Sequence, residues 1–147
     1  MEYNAECASK WADKTTGATI VTGDQGDANV LEAFLAAHGQ DFDIIVDDGG
    51  HTMAQQMTSL QHLWKAIKPG GMYFCEDLET SFIPHFGGGD AAKNAGTDTM
   101  VTYIHKMMED LMSLDPAGPR QVKFEDVESI VHIDCSSQVC AFLKREE

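Results

Sequence analysis

Two short apolar runs, each followed by a pair of acids, constrain this chain more than any other feature. The runs and their acids are residues 44–46 with Asp47 and Asp48, and residues 72–75 with Glu76 and Asp77. Runs this short, rich in β-branched or aromatic side chains, are typical of strands and too short for helices. We therefore expect two buried strands whose carboxyl ends deliver carboxylates into turns.

The segment between the two runs has the periodicity of an amphipathic helix. Its apolar residues recur at helical spacing: Met53, Met57, Leu60, Trp64 and Ile67. Thr52 and Gln55 are spaced as a capping box, and Pro69-Gly70-Gly71 is expected to stop the helix. A strand, helix and strand of this length predict a right-handed parallel crossover. Because ligands of open α/β sheets bind outside the carboxyl ends of such strands, the acids and His51 are expected to gather there.

The remaining segments predict an alternation of helices and strands around this unit. We expect a short helix within residues 1–14, a strand at 18–22, a helix capped by Asp27 and ended by His38-Gly39, a helix from about Val101 closed by residues 115–119, and a hairpin of strands 127–133 and 139–143. Residues 83–99 are expected to be irregular, forming a mobile loop that acts as a lid beside the acids, or else disordered.

Composition limits the class of protein. With 147 residues, 43% of them hydrophobic, the chain is long enough for one domain with a real core, and we treat residues 1–147 as a single unit. The sequence has no apolar run of membrane-spanning length and its first residues lack the features of a signal peptide, so a cytoplasmic location is expected. A net charge of −14 argues against nucleic acid and anionic membranes as partners. The four cysteines are expected to be buried free thiols.

The acids at the two strand ends favour a metal site. Carboxylates brought together repel one another unless a cation or a proton intervenes, and hard oxygen ligands in an open site suit Mg²⁺. Asp48 and Asp77 are the best pair of ligands. Because side chains alternate along a strand, Asp47 faces away from Asp48, and Glu76 faces away from Asp77. The alternative, equally compatible with the residues alone, is that these acids only cap the following helix and turn.

His51 follows Asp48 by three residues and is the candidate general base. Its ordinary pKa of about 6.5 would let it take a proton at neutral pH from a metal-bound hydroxyl. The alternative is a histidine that is hydrogen-bonded to a neighbouring carboxylate and takes no part in turnover. His85, in the irregular stretch, could contact a substrate, whereas the other histidines are expected to be structural.

Several motifs in this order and spacing resemble class I S-adenosylmethionine-dependent methyltransferases. They are Gly23-Asp24-Gln25, the stretch from Phe42 to His51, the stretch from Lys68 to Asp77, and Thr80-Ser81-Phe82. The branch that they resemble most is the metal-dependent sugar O-methyltransferases of macrolide biosynthesis, the mycinamicin and macrocin type. The resemblance covers nearly the whole chain, because that family also ends in a helix and a β-hairpin.

The resemblance implies a role for each candidate residue. Glu2 would bind the ribose of S-adenosylmethionine, Asp24 and Gln25 would lie near its adenine, and Asp47 is grouped with them as a cofactor-binding residue. Asp48 and Asp77 would ligate Mg²⁺, and His51 would be the general base. The implied reaction is an in-line methyl transfer to a hydroxyl of a sugar or another small polar natural product, with Mg²⁺ lowering the pKa of that hydroxyl.

The chain also departs from the family. The Gly-rich cofactor loop that follows the first strand would precede Glu2, and Gly87-Gly88-Gly89 is not a substitute because it is expected neither to follow a strand nor to open a helix. The implied fold is therefore an α/β, Rossmann-like methyltransferase sheet that is incomplete, without the first strand and most of the second, and that ends in an antiparallel hairpin. In the resulting gap, either the strand at 18–22 pairs with the strand at 44–46, or an unfilled edge remains.

These departures predict a partial domain with weak cofactor affinity and little or no methyl transfer by the chain alone. A homo-oligomer or a completing N-terminal segment would be the natural partner. Two other functions stay open: a Mg²⁺-dependent hydrolase or hydroxylase that uses the same acids, and a non-catalytic domain that binds another chain through its exposed edge.

Overall fold

The computed structural model describes residues 1–12, 14, 17–113, 118–122, 124 and 126–146. Five α-helices are described: α1 (Ala5–Ala12), α2 (Ala28–His38), α3 (Met53–Leu63), α4 (Gly89–Ala95) and α5 (Met100–Met112). Short 3-10 helices occupy Trp64–Ala66, Leu78–Phe82, Pro84–Phe86 and Val127–Ser129. The strands are β1 (Phe42–Asp47), β2 (Ile67–Cys75), β3 (Ile130–Cys135) and β4 (Cys140–Lys144).

The four strands form one mixed sheet in the order β1-β2-β4-β3. β1 and β2 are parallel neighbours joined through α3, so the predicted crossover is confirmed. β4 pairs antiparallel with both β2 and β3, which confirms the C-terminal hairpin with shifted bounds, because residues 127–129 form a 3-10 turn. The parallel pair places the carboxyl ends of β1 and β2 at the same edge of the sheet.

The predicted caps position α2 and α3. Asp27 accepts a hydrogen bond from the Asn29 N–H at 2.8 Å, and Gly39 ends α2 with a φ of 84°. In α3 the Thr52 hydroxyl and the Gln55 side chain form the expected capping box. The predicted stop is wrong: α3 ends at Leu63, and Pro69-Gly70-Gly71 lie inside β2. The 3-10 turn at Trp64–Ala66 already redirects the chain, so the strand begins at Ile67.

The core lies between the sheet and the helices α3 and α5. Trp64, Tyr73 and Phe142 are fully buried, and Tyr73 packs edge-on against Phe142 with 6.2 Å between ring centroids. The Trp64 indole N–H donates to the Ser129 hydroxyl at 2.7 Å, which satisfies the polar atom of a buried ring. α5 adds Met100, Ile104 and Met107 to this core. Its predicted closing segment, residues 115–119, lies partly outside the described residues.

The prediction that β1 is a buried strand is wrong at two positions. Ile44 and Val46 are 58% and 55% exposed, because both side chains lie on the same face of the edge strand β1 and solvent reaches that face. Residues 18–22 do not form a strand either; their single bridge joins Thr22 to Glu2 in parallel. Two backbone hydrogen bonds support that bridge, and a strand needs a longer ladder than this. Of the two alternatives for the gap, the unfilled edge is the one found in the described part of the chain.

The prediction of irregular structure at residues 83–99 is also wrong. Pro84–Phe86 is a 3-10 helix and Gly89–Ala95 is α4, with Gly88 as its N-cap. Gly89 therefore opens a helix, contrary to expectation, although a 3-10 helix and not a strand precedes it. A side chain at Gly88 would lie 2.4 Å from the carbonyl oxygens of Thr80 and Ser81, so close backbone packing accounts for the glycine.

The cysteines differ from the expected set of buried free thiols. Cys135 and Cys140 form a disulfide across the β3–β4 hairpin, and Cys7 is exposed. Only Cys75 matches the expectation. Its burial raises the pKa of its thiol far above the ordinary value, so it is protonated. Within the described ranges, no helix is both long and apolar enough to cross a membrane.

Candidate metal and cofactor site

The register of β1 and β2 places the two pairs of acids next to each other at the carboxyl edge of the sheet. Asp47 is opposite Cys75, and the Glu76 N–H donates to the Asp47 carbonyl at 3.0 Å, which extends the ladder by one bond. The residues that follow, Asp48 and Asp77, therefore leave the sheet side by side. This juxtaposition is the one that the sequence pattern predicted.

Asp48, His51 and Asp77 form a compact cluster at this edge. One ligand atom from each residue can be chosen so that all three lie within 4.8 Å of one another. His51 Nδ1 lies 3.3 Å from Asp77 Oδ2. Asp48 is exposed, whereas His51 and Asp77 are half-buried, so water has access to the cluster. Glu76 is not a member of any such group among the described residues, and its carbonyl instead accepts a hydrogen bond from Gln56.

Asp77 has a backbone conformation that is uncommon for a residue with a side chain. Its φ and ψ are 53° and 40°, in the left-handed region. Such a conformation costs about 1–2 kcal/mol, with Asp and Asn among the side chains that tolerate it best. The N–H and the hydroxyl of Thr80 both donate to the Asp77 carbonyl, at 3.1 and 2.7 Å, and hold the turn in place. In this conformation Asp77 Oδ2 lies 3.3 Å from His51 Nδ1.

Asp47 is buried and faces away from the cluster. Its Oδ2 accepts from the Tyr73 hydroxyl at 2.9 Å and its Oδ1 from the Gln25 amide at 2.6 Å. Burial raises the pKa of the Asp47 carboxyl, an effect that these two hydrogen bonds oppose. The alternation that was expected to separate Asp47 from Asp48 is therefore present in the structure.

Gln25 bridges the loop after residue 22 and the end of β1. Besides Asp47, its amide N–H donates to the Ser59 hydroxyl at 3.0 Å, and its carbonyl accepts the Gly50 N–H at 2.7 Å. A side chain at Gly49 would lie 2.2 Å from the Gln25 carbonyl oxygen, so glycine there allows this close approach. Sequence reasoning grouped Gln25 with the cofactor and missed this bridging contact, since Ser59 is 34 residues away.

A polar cleft of about 430 Å³ adjoins the cluster of Asp48, His51 and Asp77 through Asp48. It brings together Glu2, Asp24, Gln25 and Asp48, so four candidate residues from three segments of the chain share one cleft. Asp47 does not line it and instead lines a neighbouring cavity along the exposed edge of β1. Asp24 Oδ1 accepts the Gly26 N–H at 2.8 Å and the Gln55 amide at 3.3 Å. Gln55 was predicted only as a helix cap, and it also positions this carboxylate.

His85, the predicted substrate contact, is linked to the cluster by ring contacts: it packs against Phe86, which packs against His51. The Phe86 ring packs edge-on against His51, with 6.2 Å between centroids, and His85 packs edge-on against Phe86 at 5.3 Å. Phe86, the last residue of the 3-10 helix Pro84–Phe86, therefore lies between His85 and the His51 imidazole. His62, expected to be structural, faces Glu32 at 3.0 Å on the outer surface.

Sequence comparisons with known proteins find antibiotic sugar O-methyltransferases. The chain is 35% identical over 102 residues to 8-demethyl-8-(2-methoxy-alpha-L-rhamnosyl)-tetracenomycin-C 3'-O-methyltransferase of Streptomyces olivaceus, covering 66% of this chain and 26% of that protein. It is 41% identical over 78 residues to mycinamicin VI 2''-O-methyltransferase of Micromonospora griseorubida, covering 52% and 19%. It is a relative of these sugar O-methyltransferases. No family model matches the chain.

A solved structure supports the same relationship. The MycE methyltransferase of the mycinamycin biosynthetic pathway, in complex with Mg, SAH and mycinamycin VI, superimposes with a TM-score of 0.70 at 26% identity. The match covers 86% of this chain and 31% of that one. The predicted methyltransferase fold and the resemblance to the macrolide sugar enzymes are confirmed. This chain spans about a quarter of the length of the first tetracenomycin methyltransferase.

Replacing Gln25 tests how the site is held together. We expect Gln25→Ala to lower the free energy of unfolding by about 1–3 kcal/mol, because the part-buried Asp47 and Gly50 groups would lose a partner. Urea unfolding followed by circular dichroism measures the change. Gln40→Ala, at an exposed position, is the matched control and should leave stability within about 0.5 kcal/mol of the parent. An equal change in the free energy of unfolding for the two variants would show that the Gln25 hydrogen bonds do not stabilise the site.

Proposed function

We propose that the cluster and the adjoining cleft are the site of an S-adenosylmethionine-dependent, Mg²⁺-assisted O-methyltransferase that acts on a sugar hydroxyl. The observation that supports this most is the convergence of Asp48, His51 and Asp77 at one sheet edge beside the cleft lined by Glu2 and Asp24. The relatives named above are methyltransferases of sugar-bearing antibiotics, and MycE was solved with Mg and SAH.

The donor atoms of the cluster fit Mg²⁺. Two carboxylates are the usual number of protein ligands for this ion, which keeps several of its waters, and the exposure of Asp48 leaves room for them. The imidazole of His51 is a poorer ligand for a hard cation than a carboxylate. Asp48 and Asp77 would therefore hold the ion, with His51 beside it.

The polar cleft fits the ribose and adenine part of the cofactor. Carboxylates at Glu2 and Asp24 can accept hydrogen bonds from hydroxyl and amino groups, and both line the cleft. Asp47 is engaged by Gln25 and Tyr73, so we assign it to supporting the loop and not to direct cofactor contact. This revises the role that the resemblance implied for it.

His51 would accept the acceptor's hydroxyl proton at Nε2. Its Nδ1 faces Asp77 Oδ2, so the carboxylate would fix the ring orientation and favour the tautomer with hydrogen on Nδ1. The Phe86 ring packs edge-on beside the imidazole. When bound, Mg²⁺ would supply Lewis-acid polarisation of the hydroxyl and S-adenosylmethionine the electrophilic methyl group. The strained turn at Asp77 would keep its carboxylate, and through it the base, in place before the acceptor binds.

Binding of a divalent ion tests the metal half of this proposal. Mn²⁺ is the probe, detected by loss of its free electron paramagnetic resonance signal. We expect Asp48→Asn and Asp77→Asn each to weaken Mn²⁺ binding at least about tenfold, because each replaces a charged carboxylate ligand with a neutral amide. Asn also tolerates the left-handed backbone of Asp77, so the variant isolates the charge.

Two further variants make the metal test specific. Asp134→Asn, an exposed acid on β3, should leave Mn²⁺ affinity unchanged and controls for the net charge of −14. His51→Ala should weaken binding less than either carboxylate variant if His51 is the base. A loss as large as that of Asp77→Asn would assign His51 as a ligand and contradict its role as the free base.

Binding of S-adenosylhomocysteine tests the cofactor half. The exposed edge of β1 leaves the neighbouring side of the site open, so we expect binding by this chain weaker than about 10 μM. Chemical shifts of ¹³C-methyl methionine are a suitable readout, since Met1 lines the cleft. Glu2→Gln and Asp24→Asn should each weaken binding by about tenfold through loss of a charged acceptor.

The control for the cofactor test is Glu6→Gln, an exposed acid on α1 that pairs with Lys10. It should bind S-adenosylhomocysteine as the parent does. Mn²⁺ binding without any S-adenosylhomocysteine binding would contradict a methyltransferase role for the chain and favour a metal-dependent hydrolase at the same acids. Binding tighter than about 10 μM would contradict the open-sided cleft.

A further inference from the structure

The disulfide between Cys135 and Cys140 closes the β3–β4 hairpin beside the candidate metal site. The two cysteines are directly opposite each other in the register of β3 and β4, and Cys140 is in turn opposite Cys75 of β2. Directly opposed residues place their side chains on the same face of a sheet, so three cysteines form a row across three strands. Cys75 ends β2, and Asp77 of the metal cluster follows shortly after it.

The two bridged cysteines differ in their access to solvent. Cys135 is exposed, whereas Cys140 is only 3% exposed. A thiol in solution can therefore reach the bridge from the Cys135 side. The bridge closes a loop of low sequence separation, and such a cross-link restricts the unfolded chain less than a long-range one does. We therefore expect that opening it leaves the fold intact and acts on the hairpin tip.

A hydrogen bond connects the hairpin tip to the turn that carries Asp77. The Leu78 N–H donates to the Gln138 carbonyl at 3.0 Å, and Gln138 lies in the loop that the disulfide closes. Within the tip, the Ser136 N–H donates to the Val139 carbonyl at 2.8 Å. Asp77 immediately precedes Leu78 and has the left-handed backbone conformation described above. The order of the tip therefore bears directly on the turn that presents the Asp77 carboxylate.

We propose that the disulfide of Cys135 with Cys140 is a redox-sensitive switch, which low-molecular-weight thiols open and whose opening weakens metal binding at Asp77. The inference rests on the metal site of the proposed function. In the oxidised chain the closed tip holds the Gln138 carbonyl against the Leu78 N–H and supports the strained turn. In the reduced chain the tip gains conformational freedom, this hydrogen bond is formed for less of the time, and the turn relaxes.

The opening reaction is thiol–disulfide exchange. The thiolate of the incoming thiol attacks the Cys135 sulfur and forms a mixed disulfide, and the bond to Cys140 breaks, so that Cys140 leaves as a thiolate and takes up a proton. A second thiol then attacks the mixed disulfide and releases Cys135 as a thiol. Two external thiols are oxidised to one disulfide, and the two electrons and two protons that they lose convert the protein disulfide into two thiols.

Mn²⁺ affinities of the oxidised and the reduced chain test the switch. The chain is reduced with dithiothreitol, and the free Mn²⁺ signal in electron paramagnetic resonance measures binding. We expect reduction to weaken Mn²⁺ binding by about three- to tenfold, as the net loss of one hydrogen bond predicts. The double variant Cys135→Ser, Cys140→Ser should bind Mn²⁺ as weakly as the reduced chain, without any reductant present.

The double variant also provides the main control. Dithiothreitol should leave its Mn²⁺ affinity unchanged, which excludes chelation of the ion by the reagent. Cys7→Ser removes an exposed free thiol on α1 and should keep the full effect of reduction. The circular dichroism spectrum should be the same before and after reduction. Loss of the fold on reduction would overturn the switch and make the disulfide a structural cross-link.

Thermodynamic linkage gives a second readout, which a purely structural disulfide would not change. If oxidation strengthens Mn²⁺ binding by a given factor, bound Mn²⁺ must favour the disulfide over the two thiols by the same factor. Equilibration in mixtures of reduced and oxidised dithiothreitol, followed by alkylation and mass spectrometry, measures this shift. At the same Mn²⁺ concentration, the shift should be absent in Asp77→Asn.

The possible outcomes separate this inference from the proposed function. A fall in Mn²⁺ affinity on reduction, together with the reciprocal shift, supports the switch. Equal affinities of the oxidised and reduced chains, or a double variant that binds as tightly as the oxidised chain, would overturn the switch and leave the metal site standing. An oxidised chain that does not bind Mn²⁺ would overturn the metal site and the switch together.

Discussion

The parallel pairing of β1 with β2 is the interaction on which the candidate site depends. Because Asp47 is opposite Cys75, and Glu76 continues the ladder, the chain leaves both strands at the same height. A shift of one residue in this register would turn Asp48 or Asp77 to the other face of the sheet and separate them. Tyr73, fully buried in β2, donates a hydrogen bond to Asp47 of β1 and so links the two strands in this register.

The acids at the carboxyl ends of β1 and β2 repel one another, and the structure places them in different environments. They are Asp47, Asp48, Glu76 and Asp77. Asp47 is taken into the protein, where burial favours its protonated form and Gln25 and Tyr73 satisfy its oxygens. Asp48 and Asp77 remain accessible and share a site with His51. In our account a divalent ion offsets their charge.

The sequence predicted the parts of the structure that local chemistry determines. The capping box of Thr52 and Gln55, the Asp27 cap and the parallel crossover follow from short-range patterns, and all are present. The clustering of the strand-end residues followed from topology alone, since parallel neighbours end at one edge.

What the sequence could not predict depends on partners distant in the chain. Residues 18–22 have the composition of a strand but have only the Glu2 bridge to pair with, and β1 has an exposed edge for the same reason. Within residues 83–99, Pro84–Phe86 and Gly89–Ala95 are helical, and Gly88 packs closely on the Thr80 and Ser81 carbonyls, a contact that the Gly-rich composition does not reveal. The disulfide of Cys135 with Cys140 required knowledge of the hairpin register, which places the two residues opposite each other.

The most direct test of the account is anomalous diffraction from crystals of the chain soaked in Mn²⁺. The account predicts a strong anomalous peak at the carboxyl ends of β1 and β2, within ligand distance of the Asp48 and Asp77 carboxylates and next to His51. A well-ordered cluster with no peak, or a peak only at acids elsewhere on this surface, would contradict the claim that the paired strand ends build a metal site.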